Sequence, residues 1–167
     1  MGIFSRDIKS MDDLFVHQLK DIYYAEKSIA AALPSMIEKS NNEELRTGLE
    51  EHLDQTKNHV VRLEQVFKMH GMRPDSVDCP AIDGIIDEAD EVTGDVAGNE
   101  VLDAAIIAAA QTVEHYEIAR YGTLIAWANR LGRRDCASLL EMNLAEEKAA
   151  DRKLTQIAEA NVNRTAA

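Results

Sequence analysis

Four long stretches of the 167-residue chain place apolar residues at alternating steps of three and four. That spacing lines one face of an α-helix, so each stretch reads as a helix with a single buried seam. The first seam is Phe15, Leu19, Ile22, Ile29, Leu33 and Met36 or Ile37. Ser10, with Asp13 three residues on, resembles a capping box and sets its start, while Pro34 inside the pattern predicts a kink. The second seam is Leu45, Leu49, Leu63 and Val66 or Phe67, with Asn41 and Glu44 as its predicted cap and Gly71 just past its end. The third runs through Leu102, Ile106, Ala110, Leu124, Ala128 and Leu131 and stops at Gly132. The fourth is Leu140, Leu144, Leu154 and Ala158, with Asp135 as its predicted cap. Helices are therefore expected over about 10–39, 42–70, 99–131 and 135–160, with a frayed tail after about Asn161.

The connections decide the topology. Two are short, so each pair of helices they join must fold back as an antiparallel hairpin. Between Gly71 and about Asn99 the period weakens and Pro74, Pro80, Gly84, Gly94 and Gly98 punctuate the chain, although Ala81 to Val92 can form one short helix. Hairpin, long crossover, hairpin is the connectivity of ferritin-like four-helix bundles. The expected fold is all-α: one ferritin-like domain over residues 1–167, its two hairpins joined by a crossover that contains a short helix. Aromatic residues at only 5% lean the same way, away from β-sandwiches and barrels.

Charge narrows the partners. With 30 acidic against 18 basic residues the chain carries −12, which repels phosphate backbones and argues against nucleic acid or an anionic membrane as partner. No run of apolar residues is long enough to span a bilayer, and residues 1–10 contain none of signal-peptide length, so a cytoplasmic location is expected. Cys79 and Cys136 lie far apart, lack metal-type spacing and read as reduced, buried thiols.

What interrupts the seams is more informative than the seams themselves. Glu26 stands between Ile22 and Ile29; His52, Thr56 and His59 stand between Leu49 and Leu63. Glu114 and Glu117 follow Ala110, and Glu147 and Asp151 lie between Leu144 and Leu154. Folding each hairpin about its turn brings Glu26 level with residue 56 and Glu117 level with residue 149, so the interruptions share one layer within each hairpin. The crossover leaves the relative height of the two hairpins open. Carboxylates buried without partners repel one another and cost several kcal/mol each, which a cation relieves. Carboxylate with imidazole suits iron, manganese or zinc, and two divalent ions would neutralise about four negative charges. The 33-residue separation recurs from Glu26 to His59 and from Glu114 to Glu147, as in a pseudo-symmetric dinuclear centre.

Other ionisable groups take plainer readings. His17, His70 and His115 lie off the seams or at an end and are read as solvated or capping, and the acidic stretch Asp83 to Asp95 as a solvated face. Tyr23, Tyr116 and Tyr121 can pack beside the carboxylate layer and donate hydrogen bonds to ligands, or simply pack.

Several segments carry a resemblance. Asp21-Ile-Tyr-Tyr-Ala-Glu26, His52-Leu-Asp-Gln-Thr56 with Arg62-Leu-Glu64, Cys79-Pro-Ala-Ile-Asp-Gly84, Gln111-Thr-Val-Glu-His-Tyr-Glu117 with Tyr121-Gly-Thr-Leu124, and Leu144-Ala-Glu-Glu-Lys148 resemble the YciE/YciF-type family of ferritin-like proteins. The resemblance implies a ferritin-like subunit, a homodimer, tied to bacterial stress responses and described as a ferroxidase. One departure stands out: ferritin-like di-iron bundles carry Glu-x-x-His on two helices, whereas here Arg62 follows His59 by three and Ala150 follows Glu147 by three. The centre is thus left open between dinuclear, mononuclear and asymmetric forms. The expected metal ligands are Glu26, His52, Glu114, Glu117 and Glu147, with His59 and Asp151 in reserve, Glu147 as bridge, and Arg62 as a counter-ion where it reaches the layer. The expected cofactor is iron as a dinuclear centre, with manganese or zinc as alternatives, and the expected partner a small oxidant, dioxygen or peroxide. Two other functions fit the same residues: a non-catalytic, stress-induced structural dimer with a metal-poor polar core, and a manganese catalase-like enzyme.

Overall fold

The computed structural model describes residues 8–167, and all of its regular structure there is helical. The segment 1–10, read as lacking an apolar run of signal-peptide length, lies largely outside the described residues. Helix α1 spans Met11–Lys39, α2 Glu43–Met69, α3 Pro80–Asp95, α4 Asn99–Arg130 and α5 Arg134–Ile157. Ser10 caps α1 as its spacing predicts: its Oγ accepts the Asp13 N–H at 3.0 Å, and the Asp13 carboxylate accepts the Lys9 N–H at 3.2 Å. Helix α1 continues through Pro34, which is exposed.

Three expectations about ends and caps are corrected. Asn42, not Asn41, caps α2, its Oδ1 accepting the Leu45 N–H at 3.0 Å, while the Asn41 side chain turns back to the Lys39 carbonyl at 3.2 Å. Asp135 does not cap α5; its carboxylate is held by the Arg133 guanidinium at 3.1 and 3.2 Å. The tail is not frayed: a π-helical turn over Ala158–Val162 carries α5 into the short α6, Asn163–Ala166, and Val162 is buried where these turns lie against α4.

Gly71 and Gly132 end α2 and α4 in the left-handed region, φ +76° and +74°. In each case the next residue returns its N–H to the helix, Met72 to the Phe67 carbonyl at 2.9 Å and Arg133 to the Ala128 carbonyl at 2.8 Å. Helix α1 packs on α2 and α4, and α5 on α2 and α4, which makes a four-helix bundle with antiparallel neighbours. The crossover helix α3 lies outside the bundle against α1 and α4. Phe15, Leu19, Leu45, Leu63, Phe67, Leu124 and Leu140 fill the core, each fully buried.

Two polar contacts fix the height of one hairpin against the other. The Asp103 carboxylate on α4 accepts the N–H groups of Asn41 and Asn42 at 2.8 and 2.9 Å, pinning the α1–α2 turn. At the opposite end Arg133 donates to the Met69 carbonyl at 2.6 Å and sits 3.0 Å from His70 Nδ1. His70 is thus a capping residue, while His17 is exposed. Of the acidic stretch, most residues face solvent and Asp83 accepts the Tyr24 hydroxyl at 2.9 Å. Among the described residues no helix is long and apolar enough to cross a membrane.

Candidate metal centre

With the hairpins pinned at that height, their two polar layers fall together. Glu26 of α1, His52 and His59 of α2, Glu114 and Glu117 of α4 and Glu147 of α5 converge in the bundle interior. One ligand atom from each of His52, Glu114, Glu117 and Glu147 lies within 4.8 Å of the others, and the same holds for Glu26, His59 and Glu147. Glu147 belongs to both groups: its Oε1 is 2.8 Å from His59 Nδ1, and its Oε2 is 3.9 Å from His52 Nε2. Glu26 Oε1 is 3.3 Å from His59 Nδ1, and Glu114 Oε1 is 3.1 Å from His52 Nε2.

The periodic reading places six of its seven candidates in this layer. Asp151 is outside both groups: its Oδ1 accepts the Gln111 amide at 3.0 Å and lies 3.3 Å from His115 at the partly open α4–α5 groove. Thr56 returns its hydroxyl to the His52 carbonyl at 2.9 Å and offers nothing to the centre. Of the three tyrosines, only Tyr121 serves a candidate ligand, donating to Glu26 Oε1; Tyr23 donates to Glu64, and Tyr116 to Asp21 while touching Cys79 Sγ at 3.0 Å. Cys136 is fully buried, and both cysteines are free thiols.

Two participants escaped the periodic reading. Glu146 Oε2 sits 2.7 Å from His59 Nε2 and accepts two bonds from Arg62 at 2.7 and 3.0 Å. Fully buried Asn143 accepts from Arg62 at 3.0 Å and donates to the Tyr121 hydroxyl at 2.9 Å. Asn143 lies one turn before Glu147 on the same face, a polar interruption that the seam itself displays. Glu146 lies off the seam and became visible only through its partners. Arg62 therefore reaches the layer through Glu146 and Asn143, and no bond from it to the six central side chains is seen.

The electrostatics follow from burial. Burial raises Glu26, holds Glu117 well above the usual carboxylate range and lifts Glu114 to about 11, with Glu147 as the next cause for Glu114 and Glu117. For His59 burial acts downward, but the Glu147 and Glu26 carboxylates outweigh it and lift the ring to about 10. Glu147 is pushed up by burial yet ends below the usual carboxylate range because His59 faces it. Burial lowers His52 and keeps it neutral near pH 7. Without a cation the layer thus sets one ion pair, His59 with Glu147, beside carboxyls that burial shifts toward the neutral form.

Those charges leave an unusual residue of unmet polar capacity. Glu26 Oε2, both nitrogens of His52, His59 Nδ1, Glu114 Oε2 and both carboxylate oxygens of Glu117 and Glu147 are buried and lack a hydrogen bond of good geometry. All belong to the same six side chains. Buried polar groups are nearly always bonded, so such a concentration fits a site whose partner is a metal ion. The donors are oxygen and imidazole, and the His59 Nε2 edge against Glu146 orients Nδ1 inward, as outer carboxylates orient metal-binding imidazoles.

A helical bundle with a buried glutamate–histidine layer is the class that fold and site define. The chain belongs to the family described as a domain of unknown function, DUF892, which it matches over residues 10–167. It is 45% identical to Protein YciF of Escherichia coli K12 over 161 residues, 96% of this chain and 97% of the relative. The solved structure of that E. coli stress protein superposes with a TM-score of 0.89, covering 93% of this chain and 99% of its own. YcfI of Rhodopseudomonas palustris, proposed to be a structural protein, is 59% identical with a TM-score of 0.90, covering 92% of this chain and 98% of its own. A Xanthomonas campestris protein at 21% identity and a TM-score of 0.73, covering 93% of this chain and 95% of its own, shares the fold.

Proposed function

We propose that this chain holds divalent transition metal, iron first and as a pair, between the Glu26–His59–Glu147 and His52–Glu114–Glu117–Glu147 groups, and acts in protection against oxidants. The observation that carries the reading is the set of unbonded buried atoms, all confined to those six side chains. Bound iron would supply electron transfer, Fe(II) to Fe(III), with dioxygen or peroxide as acceptor. The chain's own residues provide the frame for it. Glu147 spans both groups and is the natural bridge; Tyr121 and Asn143 hold Glu26; Arg62 and Glu146 hold His59. The absence of Glu-x-x-His is met in space by two imidazoles from α2, His52 and His59, two turns apart. Relatedness to the E. coli stress protein supports a stress setting.

Fe(II) oxidation by the wild type and by a Glu114→Ala, Glu147→Ala double variant tests the proposal. The variant should lose the activity; equal rates would show that these residues are not the site. Manganese in protein purified without chelator, together with peroxide disproportionation, would favour the catalase-like reading. The metal-poor structural alternative draws on the role proposed for YcfI. Under it the double variant is neutral or more stable and neither protein oxidises Fe(II).

A further inference from the structure

Four of the six central side chains, Glu26, His59, Glu117 and Glu147, are 0% exposed; His52 retains 5% and Glu114 2%, so the edge these two form is the side of the centre nearest solvent. Both nitrogens of His52 and Oε2 of Glu114 are buried without a hydrogen-bond partner. Between α2 and α5 a recess of about 20 Å³, room for one particle of water size, ends on these two side chains. Leu49, Leu154 and Ile157 wall it, and Lys153 lines it as well. Lys153 also lines a surface cleft beside the recess, together with the exposed Glu43 and Glu44. One side chain thus stands between the acidic cleft outside and the recess inside. Its ammonium is 2.6 Å from Glu51 on α2, with 39% of the lysine and 61% of the glutamate side chain exposed, and an ion pair this exposed is weak and opens readily. Its stem passes close to Gly48, where a Cβ would meet Lys153 Cε at 3.5 Å and Ile157 Cδ1 at 3.7 Å. Glycine is unfavourable inside a helix, and the room this one leaves is taken by the lysine stem.

We propose that the recess between α2 and α5 is the port through which divalent metal ions enter the buried centre, and that Lys153, tied to Glu51, is its gate. The inference rests on the metal-binding reading above. A hydrated dication gives up water only where another ligand takes its place. Glu51 stands at the outer end and is free to receive the ion once the ammonium swings away; unpartnered His52 and Glu114 stand at the inner end. A second recess, beneath α3, reaches the same two residues, but the rest of its lining is apolar, Leu33, Ile86, Ala89 and Val113 among it. An ion on that path would meet no carboxylate or imidazole before the centre itself, which is why the port falls between α2 and α5.

Uptake of Co(II) by metal-free protein, followed by the change in its visible absorption as imidazole and carboxylate replace water, reads the port without any turnover. Lys153→Ala should speed uptake by about fivefold or more, and Gly48→Leu, which fills the recess at unchanged charge, should slow it as much, with the final Co(II) stoichiometry unaltered in both. Ala150→Leu fills the same recess should Gly48→Leu misfold. Lys57→Ala removes an equal charge from α2 outside the recess, and Ala89→Leu narrows the recess beneath α3; both should load at the wild-type rate. In metal-free protein, hydrogen exchange at the His52 ring carbon, read by mass spectrometry, should quicken in Lys153→Ala and slow in Gly48→Leu. Uptake and His52 exchange that are the same in these two variants as in the wild type, or uptake slowed by Ala89→Leu alone, would overturn the port. Should no form take up Co(II), the metal reading falls and the port with it, a result distinct from loading at equal rates, which overturns the port alone.

Discussion

Glu147 Oε1 lies 2.8 Å from His59 Nδ1 with both side chains 0% exposed. A pair so placed is costly on its own, because desolvation of both charges consumes most of their attraction. It becomes intelligible beside Glu26, Glu114 and Glu117, three further carboxyls whose hold on a proton burial strengthens. The layer stores protons that a metal would displace, so proton release and metal uptake are coupled.

The first prediction concerns pH. Glu114 at about 11 and His59 at about 10 bind protons in the folded chain that the unfolded chain has lost above about 4.5 and 6.5 respectively. Their stabilisation is therefore present on the acid side and lost as pH rises, and Glu26 and Glu117 act in the same direction. Glu147, lowered, and His52, lowered, act oppositely, but only toward acid. Metal-free protein should thus lose Tm between pH 6.5 and 9, and excess Zn(II) should shrink that loss, since metal affinity grows with pH. Identical profiles with and without metal would contradict this.

Glu117→Gln tests charge against shape. Both Glu117 oxygens are unbonded and the carboxyl is held neutral, so the amide nearly reproduces the metal-free state. Stability of the metal-free variant at pH 8 should match or exceed the wild type, while Zn(II) affinity by calorimetry falls by about tenfold or more.

Tyr121→Phe removes one hydroxyl from the middle of a chain. The hydroxyl donates to Glu26 and accepts from Asn143, which is fully buried. Leaving the Asn143 amide unpaired should cost about 1–3 kcal/mol in urea unfolding, with an unchanged m-value.

Asp103→Ala probes the frame instead of the site. The carboxylate accepts two backbone N–H groups of the α1–α2 turn, and its loss should cost about 2–4 kcal/mol. At temperatures where the variant remains folded its metal stoichiometry should equal that of the wild type.

How much of this was written in the sequence follows from which forces are local. The seams were legible because a buried face repeats every helical turn, and the glutamates and histidines were legible because they interrupt it. Pro34 was legible as lying inside the first helix because the apolar period runs on past it to Met36 and Ile37. Asn41 and Asn42 are equally good caps by residue type, and the choice falls to where the turn aims each side chain, Asn41 back to the Lys39 carbonyl and Asn42 to the Leu45 N–H. Asp151 illustrates the same limit at the site. It follows Glu147 by four and shares its face, yet Gln111 and His115 hold it at the groove edge. The height of the hairpins, on which the whole centre depends, is set by Asp103 and Arg133 across the bundle ends, contacts that no periodicity encodes.

Metal stoichiometry tests the central claim most directly. Chain stripped with chelator and titrated anaerobically with Fe(II) at pH 7, then desalted and assayed for iron, should retain about two ions per chain, and the Glu114→Ala, Glu147→Ala variant close to none. Retention below about 0.2 ions per chain by the wild type would contradict the account.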